Sequence, residues 1–235
     1  MNILALETAT DTCSAALWHE GRVVAEAHLH RPRIHAQRLT PLVQDLLAHS
    51  GPEADALDAV AVSEGPGSYT GLRIGVSTAK GWALSADAAL VGVPTLEAWA
   101  AQVAPWAAAG DSVCALIDAR RDEVYAAAYR IGENGALDEH ADVTALTVDA
   151  LPNWLGAVGG TLWLVGDGAP KSRETLAAHA GGDSRLLPTN VVPPSAAWIA
   201  RRARSRVDAG AVADVATFEP LYLKEFHGTP SPSPL

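Results

Sequence analysis

The chain has 235 residues, 49% of them hydrophobic, and its formal net charge is −10 at pH 7. This length can bury a sizeable core in one large domain or two small ones. The negative charge disfavours nucleic-acid binding as the main activity of the chain alone, because phosphate neutralisation supplies most of that affinity. No apolar stretch approaches a membrane span and no leader pattern opens the sequence, so we expect a cytoplasmic protein without membrane contact.

The first half of the chain predicts elements in the order βββαβαβ. Apolar runs joined by short turns predict three strands at residues 3–8, 14–18 and 22–27. Apolar residues on one side of a 3.6-residue repeat predict a helix over residues 35–49. The uninterrupted run at residues 59–62 predicts a strand buried on both faces, which a loop and a helix follow, and residues 89–93 predict another strand.

A loop with three glycines, Gly65, Gly67 and Gly71, joins the buried strand to the helix. Glycine permits backbone angles that a Cβ forbids and lets another group approach the main chain closely. Amides at such a helix start also suit an anion. The loop matches neither the Walker pattern nor Gly-x-Gly-x-x-Gly. Two interpretations therefore stay open with equal weight: a ligand-binding loop, and a tight strand-to-helix turn without a ligand.

The helix after this loop, predicted over residues 72–86, is rich in small side chains, among them Gly75, Ala79 and Ser85. Glycine in a helix interior costs roughly 1 kcal/mol relative to alanine, which indicates that close packing against this helix is the purpose. The contact could lie within the domain or between subunits, and helix faces are more often buried within their own domain.

The second half of the chain is a weaker echo of the first. Strands are predicted at residues 113–118 and 123–130, around a charged turn at 118–122, and at residues 161–165. The turn Gly166-Asp167-Gly168 and a helix opened by Pro170 follow. A last helix, predicted to start near Ser195, carries an arginine cluster at residues 201–206, which we interpret as a solvated helix face rather than a basic patch.

Five segments carry a family resemblance: residues 3–10 (ILALETAT), 58–62 (DAVAV), 65–73 (GPGSYTGLR), 118–125 (DARRDEVY) and 220–224 (PLYLK). In this order, over nearly the whole chain, they resemble the TsaB (YeaZ) family of the bacterial machinery that installs threonylcarbamoyl on tRNA adenosine. The resemblance implies an α/β, two-lobed actin-like or Hsp70-like ATPase (ASKHA) fold, with a βββαβαβ core in the first lobe and a reduced version in the second. We expect residues 1–105 and 195–216 in the first lobe, 106–194 in the second, a C-terminal segment at 217–227 and a flexible tail at 228–235.

The same resemblance implies a non-catalytic scaffold that activates tRNA threonylcarbamoyladenosine formation by pairing with the catalytic subunit TsaD. TsaE would be a further partner, tRNA would be reached only through the complex, and ATP would be used by the complex. The first-lobe helices would form the heterodimer contact and, in the chain alone, a homodimer contact. The residues expected at this interface are His35, Leu39, Val43, Leu47, Leu72, Gly75, Ala79, Trp82 and Ser85.

No catalytic, cofactor or metal residue is predicted. In the family that this sequence resembles, TsaD-type catalytic chains carry a His-x-x-x-His pair just after the strand that corresponds to residues 90–94. At that place this sequence has Thr95 to Trp99, and Glu97 is the one carboxylate there. The histidines at 28, 30 and 35 are interpreted as solvated strand-end residues. The hairpins at 8–14 and 118–122 contain no glycine, so weak or no ATP affinity is expected.

An autonomous nucleotide- or metal-dependent enzyme of the same fold, a threonylcarbamoyltransferase or a glycoprotease-like protein, is the alternative. A separate expectation concerns the charged turn at residues 118–122. Asp118, Arg120 and Arg121 are expected on an exposed turn, since a run of charges cannot be buried unpaired at tolerable cost. We expect them to contact a neighbouring lobe or a partner and not a phosphate.

Overall fold

The computed structural model describes residues 1–50, 54–181 and 183–224. The first half of the described chain contains five strands and three helices: β1 (Ile3–Glu7), β2 (Thr12–His19), β3 (Arg22–His30), α1 (His35–Ser50), β4 (Ala59–Gly65), α2 (Tyr69–Ala86), β5 (Ala89–Pro94) and α3 (Thr95–Val103). The second half contains β6 (Ser112–Asp118), β7 (Glu123–Ile131), β8 (Leu137–Thr147), α4 (Leu151–Leu155), β9 (Leu162–Val165), α5 (Ala169–His179), β10 (Ser184–Leu187) and α6 (Ala196–Asp208).

The two halves of the chain form two five-stranded sheets of the same topology. Their strand orders are β3-β2-β1-β4-β5 and β8-β7-β6-β9-β10. In each sheet the first strand pairs antiparallel with the second and parallel with the fourth, with Ile3 opposite Ala59 in one and Ser112 opposite Leu162 in the other. The second half is therefore a complete βββαβαβ unit. It is reduced mainly in its helices, since α4 has 5 residues where α1 has 16 and α5 has 11 where α2 has 18.

Helices cover both faces of each sheet. On the first sheet, α1 and α2 bury one face and α6 buries the other. On the second sheet, α4 and α5 bury one face and α3 the other. The crossing of α3 is a difference from the predicted lobe boundaries, because Leu96, Trp99 and Val103 lie within 1–105 yet pack into the core of the second sheet. Each lobe thus receives a helix from the other half of the chain, which ties the lobes together.

Several boundaries differ from the predictions for local reasons. Helix α2 begins at Tyr69, three residues earlier than predicted, because the side chain of Ser68 caps it by accepting a hydrogen bond from the Gly71 amide at 3.3 Å. Strand β8 was not predicted, since its sequence contains several charged residues and its side chains are largely exposed or half-buried. None of the helices in the described part of the chain is long and apolar enough to cross a bilayer. The predicted tail at 228–235 and the last residues of the segment 217–227 lie outside the described residues.

Candidate association surface and inter-lobe cleft

Helices α1 and α2 lie side by side on the first sheet, and most of the predicted interface residues face that sheet. Six of them are buried: His35, Leu39, Val43, Leu72, Gly75 and Ala79. All of these except His35 expose too little surface for contact with another molecule. Leu39, Val43 and Ala79 belong to the core cluster beneath the two helices. These six residues therefore contribute to the stability of their own lobe. Leu47 and Trp82, which are half-buried, and Ser85, which is exposed, remain available to a partner.

The small residues of α2 serve two different purposes. An added Cβ at Gly75 would overlap Thr8 Oγ1, and one at Gly71 would overlap the Thr8 carbonyl oxygen. These two glycines let α2 pack closely on the end of β1. Gly81, by contrast, is exposed and has nothing within 4 Å of an added Cβ. Two alternatives were open for this helix, a contact within the domain and a contact between subunits. The contact within the domain accounts for Gly71 and Gly75 but leaves Gly81 unexplained.

The accessible side of the helix pair is a shallow surface with small and apolar side chains. A groove of about 320 Å³ between the helices is lined by Thr40, Thr78, Gly81, Trp82 and Ser85. Leu84 lies at the end of the same exposed face of α2, with 71% of its surface accessible. We call this set, with Ser77, the α1–α2 surface. Thr40, Thr78 and Leu84 were not among the predicted interface residues. The i, i+4, i+7 spacing of Ser77, Gly81 and Leu84 nevertheless places these three on one face of α2.

The glycine loop is filled by the chain itself. An added Cβ at Gly65 would lie 2.5 Å from the Leu221 carbonyl oxygen, and one at Gly67 would overlap the Ala9 carbonyl oxygen. The Ser68 amide donates a hydrogen bond to the same Ala9 oxygen at 2.7 Å. Of the two open interpretations, the tight strand-to-helix turn is therefore favoured, since the close approach that the glycines permit is made by this chain's own backbone.

We call the space between the carboxyl end of β1 and the turn after β9 the inter-lobe cleft, because Asp167 of the second lobe interacts electrostatically with Glu7 and Asp11 of the first. Glu7 ends β1 and is 1% exposed, and its Oε1 accepts a hydrogen bond from the Ala9 amide at 2.7 Å. Burial raises the pKa of Glu7 from 4.5 to about 7, against the opposing hydrogen bonds from Ala9 and Ser63, and Asp167 across the cleft adds a smaller increase. Both lobes thus contribute carboxylates to this space.

The second lobe contributes Asp167 and Asp118. Partial removal from water raises the pKa of Asp167 to about 6, with further contributions from the charges of Asp118 and Asp11. Its Oδ1 accepts a hydrogen bond from the Asp118 amide at 2.8 Å. The Asp118 carboxylate forms an ion pair with Lys171, and this pairing lowers the pKa of Asp118 although desolvation opposes it. Glu7, Asp11, Asp118 and Asp167 thus place four carboxyl groups around this space.

The segment 95–99, where the resemblance places the His-x-x-x-His pair of TsaD-type chains, takes part in an ion-pair network. Glu97 in α3 accepts hydrogen bonds from Arg202 Nε at 2.6 Å and from Arg206 Nη2 at 2.7 Å. Desolvation by itself would raise the pKa of Glu97, but the contacts with Arg206 and Arg202 outweigh it, so the pKa lies below its usual value. Within the described ranges, no group of three or more His, Cys, Asp or Glu side chains could hold a metal ion. The carboxylate of Glu97 is fully engaged by the two guanidinium groups.

The arginine cluster of α6 is likewise used within the chain. Besides the two arginines at Glu97, Arg204 pairs with Asp208 at 2.9 Å. Arg201 lies over the Trp198 ring at 5.2 Å and over the Trp18 ring at 5.9 Å. The expectation of a wholly solvated helix face is therefore wrong for two of the four arginines, and nothing in their contacts indicates a nucleic-acid patch.

Two further predictions can be compared with the structure. Asp118, Arg120 and Arg121 are exposed, as expected of the charged turn between β6 and β7; their contact with a partner stays a prediction. The histidines do not all lie in solvent, since His35 is 6% exposed and bonds the Thr12 carbonyl at 3.1 Å.

Comparison with known proteins gives consistent matches. A family model described as TsaD, tRNA N6-adenosine threonylcarbamoyltransferase, matches residues 25–161. The tRNA threonylcarbamoyladenosine biosynthesis protein TsaB of Escherichia coli is 48% identical over 136 residues, which cover 57% of this chain and 58% of that protein. The protein of the same name from Bacillus subtilis is 37% identical over 139 residues, 59% of each chain.

A solved structure extends the similarity to nearly the whole chain. YeaZ from Pseudomonas aeruginosa superposes with a TM-score of 0.77 at 29% identity, and the match covers 94% of this chain and 99% of that one. In sequence, however, the chain spans little more than half the length of the curated relatives it matches. The predicted two-lobed actin-like fold agrees with this match and with the duplicated sheet topology.

Proposed function

This chain belongs to the family of TsaD, tRNA N6-adenosine threonylcarbamoyltransferase, and from that premise we propose that it is a non-catalytic subunit of tRNA threonylcarbamoyladenosine formation, of the TsaB (YeaZ) kind. The names of the similar Escherichia coli and Bacillus subtilis proteins support this role. Its partner would be the catalytic subunit TsaD, with TsaE as a further component, all in the cytoplasm. ATP and tRNA would be used by the complex and not by this chain alone.

One observation carries the non-catalytic part of the proposal. Glu97 lies in the segment where TsaD-type catalytic chains carry their His-x-x-x-His pair. Its carboxylate accepts hydrogen bonds from Arg202 and Arg206. Two cations at hydrogen-bonding distance make this carboxylate a poor metal ligand, because a metal ion there would compete with charges already paired. No contact among the described residues favours the alternative of an autonomous enzyme.

The association surface is the second part of the proposal. We assign the contact with TsaD to the α1–α2 surface, since the missing side chain at Gly81 allows a facing helix to approach closely. Leu84 and Trp82 would supply apolar area to the contact, at about 25 cal/mol per Å² buried. In the absence of TsaD, two copies of the same patch would pair about a two-fold axis.

The test uses purified chain and purified TsaD of the same bacterium. With an activated threonylcarbamoyl donor supplied in every reaction, threonylcarbamoyl transfer to tRNA is measured with each protein alone, with both together, and with TsaE and ATP present. The proposal expects product from the complete mixture and none from this chain alone with TsaE. Product made by this chain in the absence of TsaD would contradict it.

The surface is tested by Gly81→Arg. Because Gly81 is exposed on α2 with free space at its Cβ, the substitution should leave the fold intact and block a close helix contact. The matched control is Ala178→Arg, at an exposed position of α5 in the second lobe. Gly81→Arg should abolish co-elution with TsaD and self-pairing in light scattering, whereas the control should not. Unchanged association of the first variant would show that the surface lies elsewhere.

A further inference from the structure

Residues 213–224, which we call the strap, follow α6 and begin on the first lobe. The Ala213 amide donates a hydrogen bond to the Leu90 carbonyl at 2.8 Å and makes an isolated antiparallel bridge to β5. Farther along, Lys80 of α2 donates to the Ala216 carbonyl at 3.2 Å. These contacts anchor the start of the strap on the edge of the first sheet.

The first lobe has two glycines where the strap lies against it. An added Cβ at Gly92 in β5 would overlap Glu64 Oε2 and lie 2.8 Å from the Phe218 ring, and one at Gly65 would be 2.5 Å from the Leu221 carbonyl oxygen. Gly65 also has a φ of +120°, which other residues rarely adopt. Beside it, the Leu221 amide donates to the Glu64 carbonyl at 2.7 Å. Both glycines thus make room for this segment at the end of β4 and in the neighbouring strand.

The end of the strap crosses to the second lobe. The ring of Tyr222 lies 4.7 Å from that of Tyr69 at the start of α2. Two residues later, Lys224 Nζ lies 2.8 Å from Glu123 Oε2 and 3.4 Å from the Ala119 carbonyl oxygen. The same ammonium group lies 5.5 Å from the centre of the Tyr125 ring. All three second-lobe contacts belong to the β6–β7 hairpin, at the rim of the inter-lobe cleft.

We propose that the strap is a latch that joins the two lobes across the mouth of the cleft and sets their relative position, with Lys224 as its releasable contact. The ion pair with Glu123 is partly exposed to solvent, with side-chain accessibilities of 27% and 40%. Partly exposed pairs are modest in strength, so this contact can open while α3 and α6 keep the lobes attached. The proposal goes beyond the role assigned above, since it needs neither TsaD nor a ligand.

The test measures the distance between the lobes in the full chain. Nitroxide labels are placed at Arg22→Cys, on the first lobe, and Glu174→Cys, on the second, and spin-diluted with unlabelled chain so that distances within one molecule are read. Cys13 and Cys114 are buried, and burial raises the pKa of their thiols to about 11 and about 12, so they do not compete for the label. Double electron–electron resonance then gives the distance distribution.

We expect one narrow distribution for the labelled parent and a broadened or shifted one for both Lys224→Met and Glu123→Gln, which remove opposite ends of the ion pair. Lys224→Arg should keep the parent distribution because it keeps the charge. Lys80→Met is the matched control, since Lys80 contacts the strap from the first lobe only. Parent-like distributions for the folded Lys224→Met and Glu123→Gln variants would overturn the proposal, and so would equal broadening in Lys80→Met.

Discussion

Replacing Glu7 by glutamine should remove a cost that the fold carries near neutral pH. Glu7 is 1% exposed at the end of β1, and burial raises its pKa from 4.5 to about 7. Its Oε1 accepts a hydrogen bond from the Ala9 amide at 2.7 Å. A glutamine has nearly the same shape and keeps the acceptor oxygen, so the substitution changes the charge of the site and little else.

The sign and the size of the effect follow from the pKa. Below pH 4.5 both the folded and the unfolded chain hold the proton, and Glu7 makes no pH-dependent difference. Between 4.5 and about 7 the unfolded chain releases a proton that the folded chain keeps, so the free energy of unfolding falls as pH rises. At about 1.4 kcal/mol per pH unit over this interval, the loss reaches roughly 3 kcal/mol above pH 7. The Glu7→Gln variant, which has no proton to release at this position, would not show this loss.

The assay is urea denaturation of both proteins at a series of pH values from about 4 to about 8.5. The difference in the free energy of unfolding between Glu7→Gln and the parent should be flat at low pH, rise through the interval and level off above it. Glu174→Gln, an exposed position on α5, is the control that should show no such rise. A difference that stays constant with pH, or that grows as pH falls, would refute the assignment of a buried protonated carboxyl at Glu7.

Other predictions concern packing and ion binding. Gly75→Ala should destabilise the fold by about 1–3 kcal/mol, because its Cβ would overlap Thr8, whereas Gly81→Ala should stabilise it by up to about 1 kcal/mol; urea denaturation compares the two. Ala79→Arg should prevent folding rather than only association, since Ala79 is 0% exposed, and circular dichroism distinguishes the two outcomes. Glu97→Gln should lower the free energy of unfolding by about 1.5–3 kcal/mol, the range for hydrogen bonds to charged groups. The purified parent should contain no stoichiometric zinc or iron and should turn over ATP no faster than buffer; one metal ion per chain in elemental analysis would contradict this.

The outcome at the glycine loop shows the limit of local sequence reasoning. Glycines at 65, 67 and 71 predict that something approaches the backbone, and this is correct. What approaches is Leu221, Ala9 and Thr8 of the same chain, all of which are far away in sequence. A pattern of small side chains indicates that another group packs closely against the backbone, but it does not identify that group.

The interface residues illustrate the same limit on a helix. The apolar spacing of α1 identifies Leu39 and Val43 as residues of a buried face, and both are buried. An amphipathic pattern cannot distinguish a face covered by the chain's own sheet from one covered by a partner, because both remove apolar surface from water. The residues of α1 and α2 that stay exposed, Leu84 among them, could be identified only once the position of the sheet beneath the helices was known.

The sequence by itself determined the order of the first-half elements, the strand-loop-helix connection at the glycines, the exposure of the charged turn at 118–122 and the family. These properties depend on local periodicity, turn chemistry and motifs, which nearby residues encode. Tertiary structure alone decided that α3 packs on the second sheet, that β8, α4 and β10 complete a second βββαβαβ unit, and that the strap joins β5 to the β6–β7 hairpin. Such features depend on contacts between residues distant in sequence, and their short or charged segments acquire a defined place only when the rest of the core surrounds them.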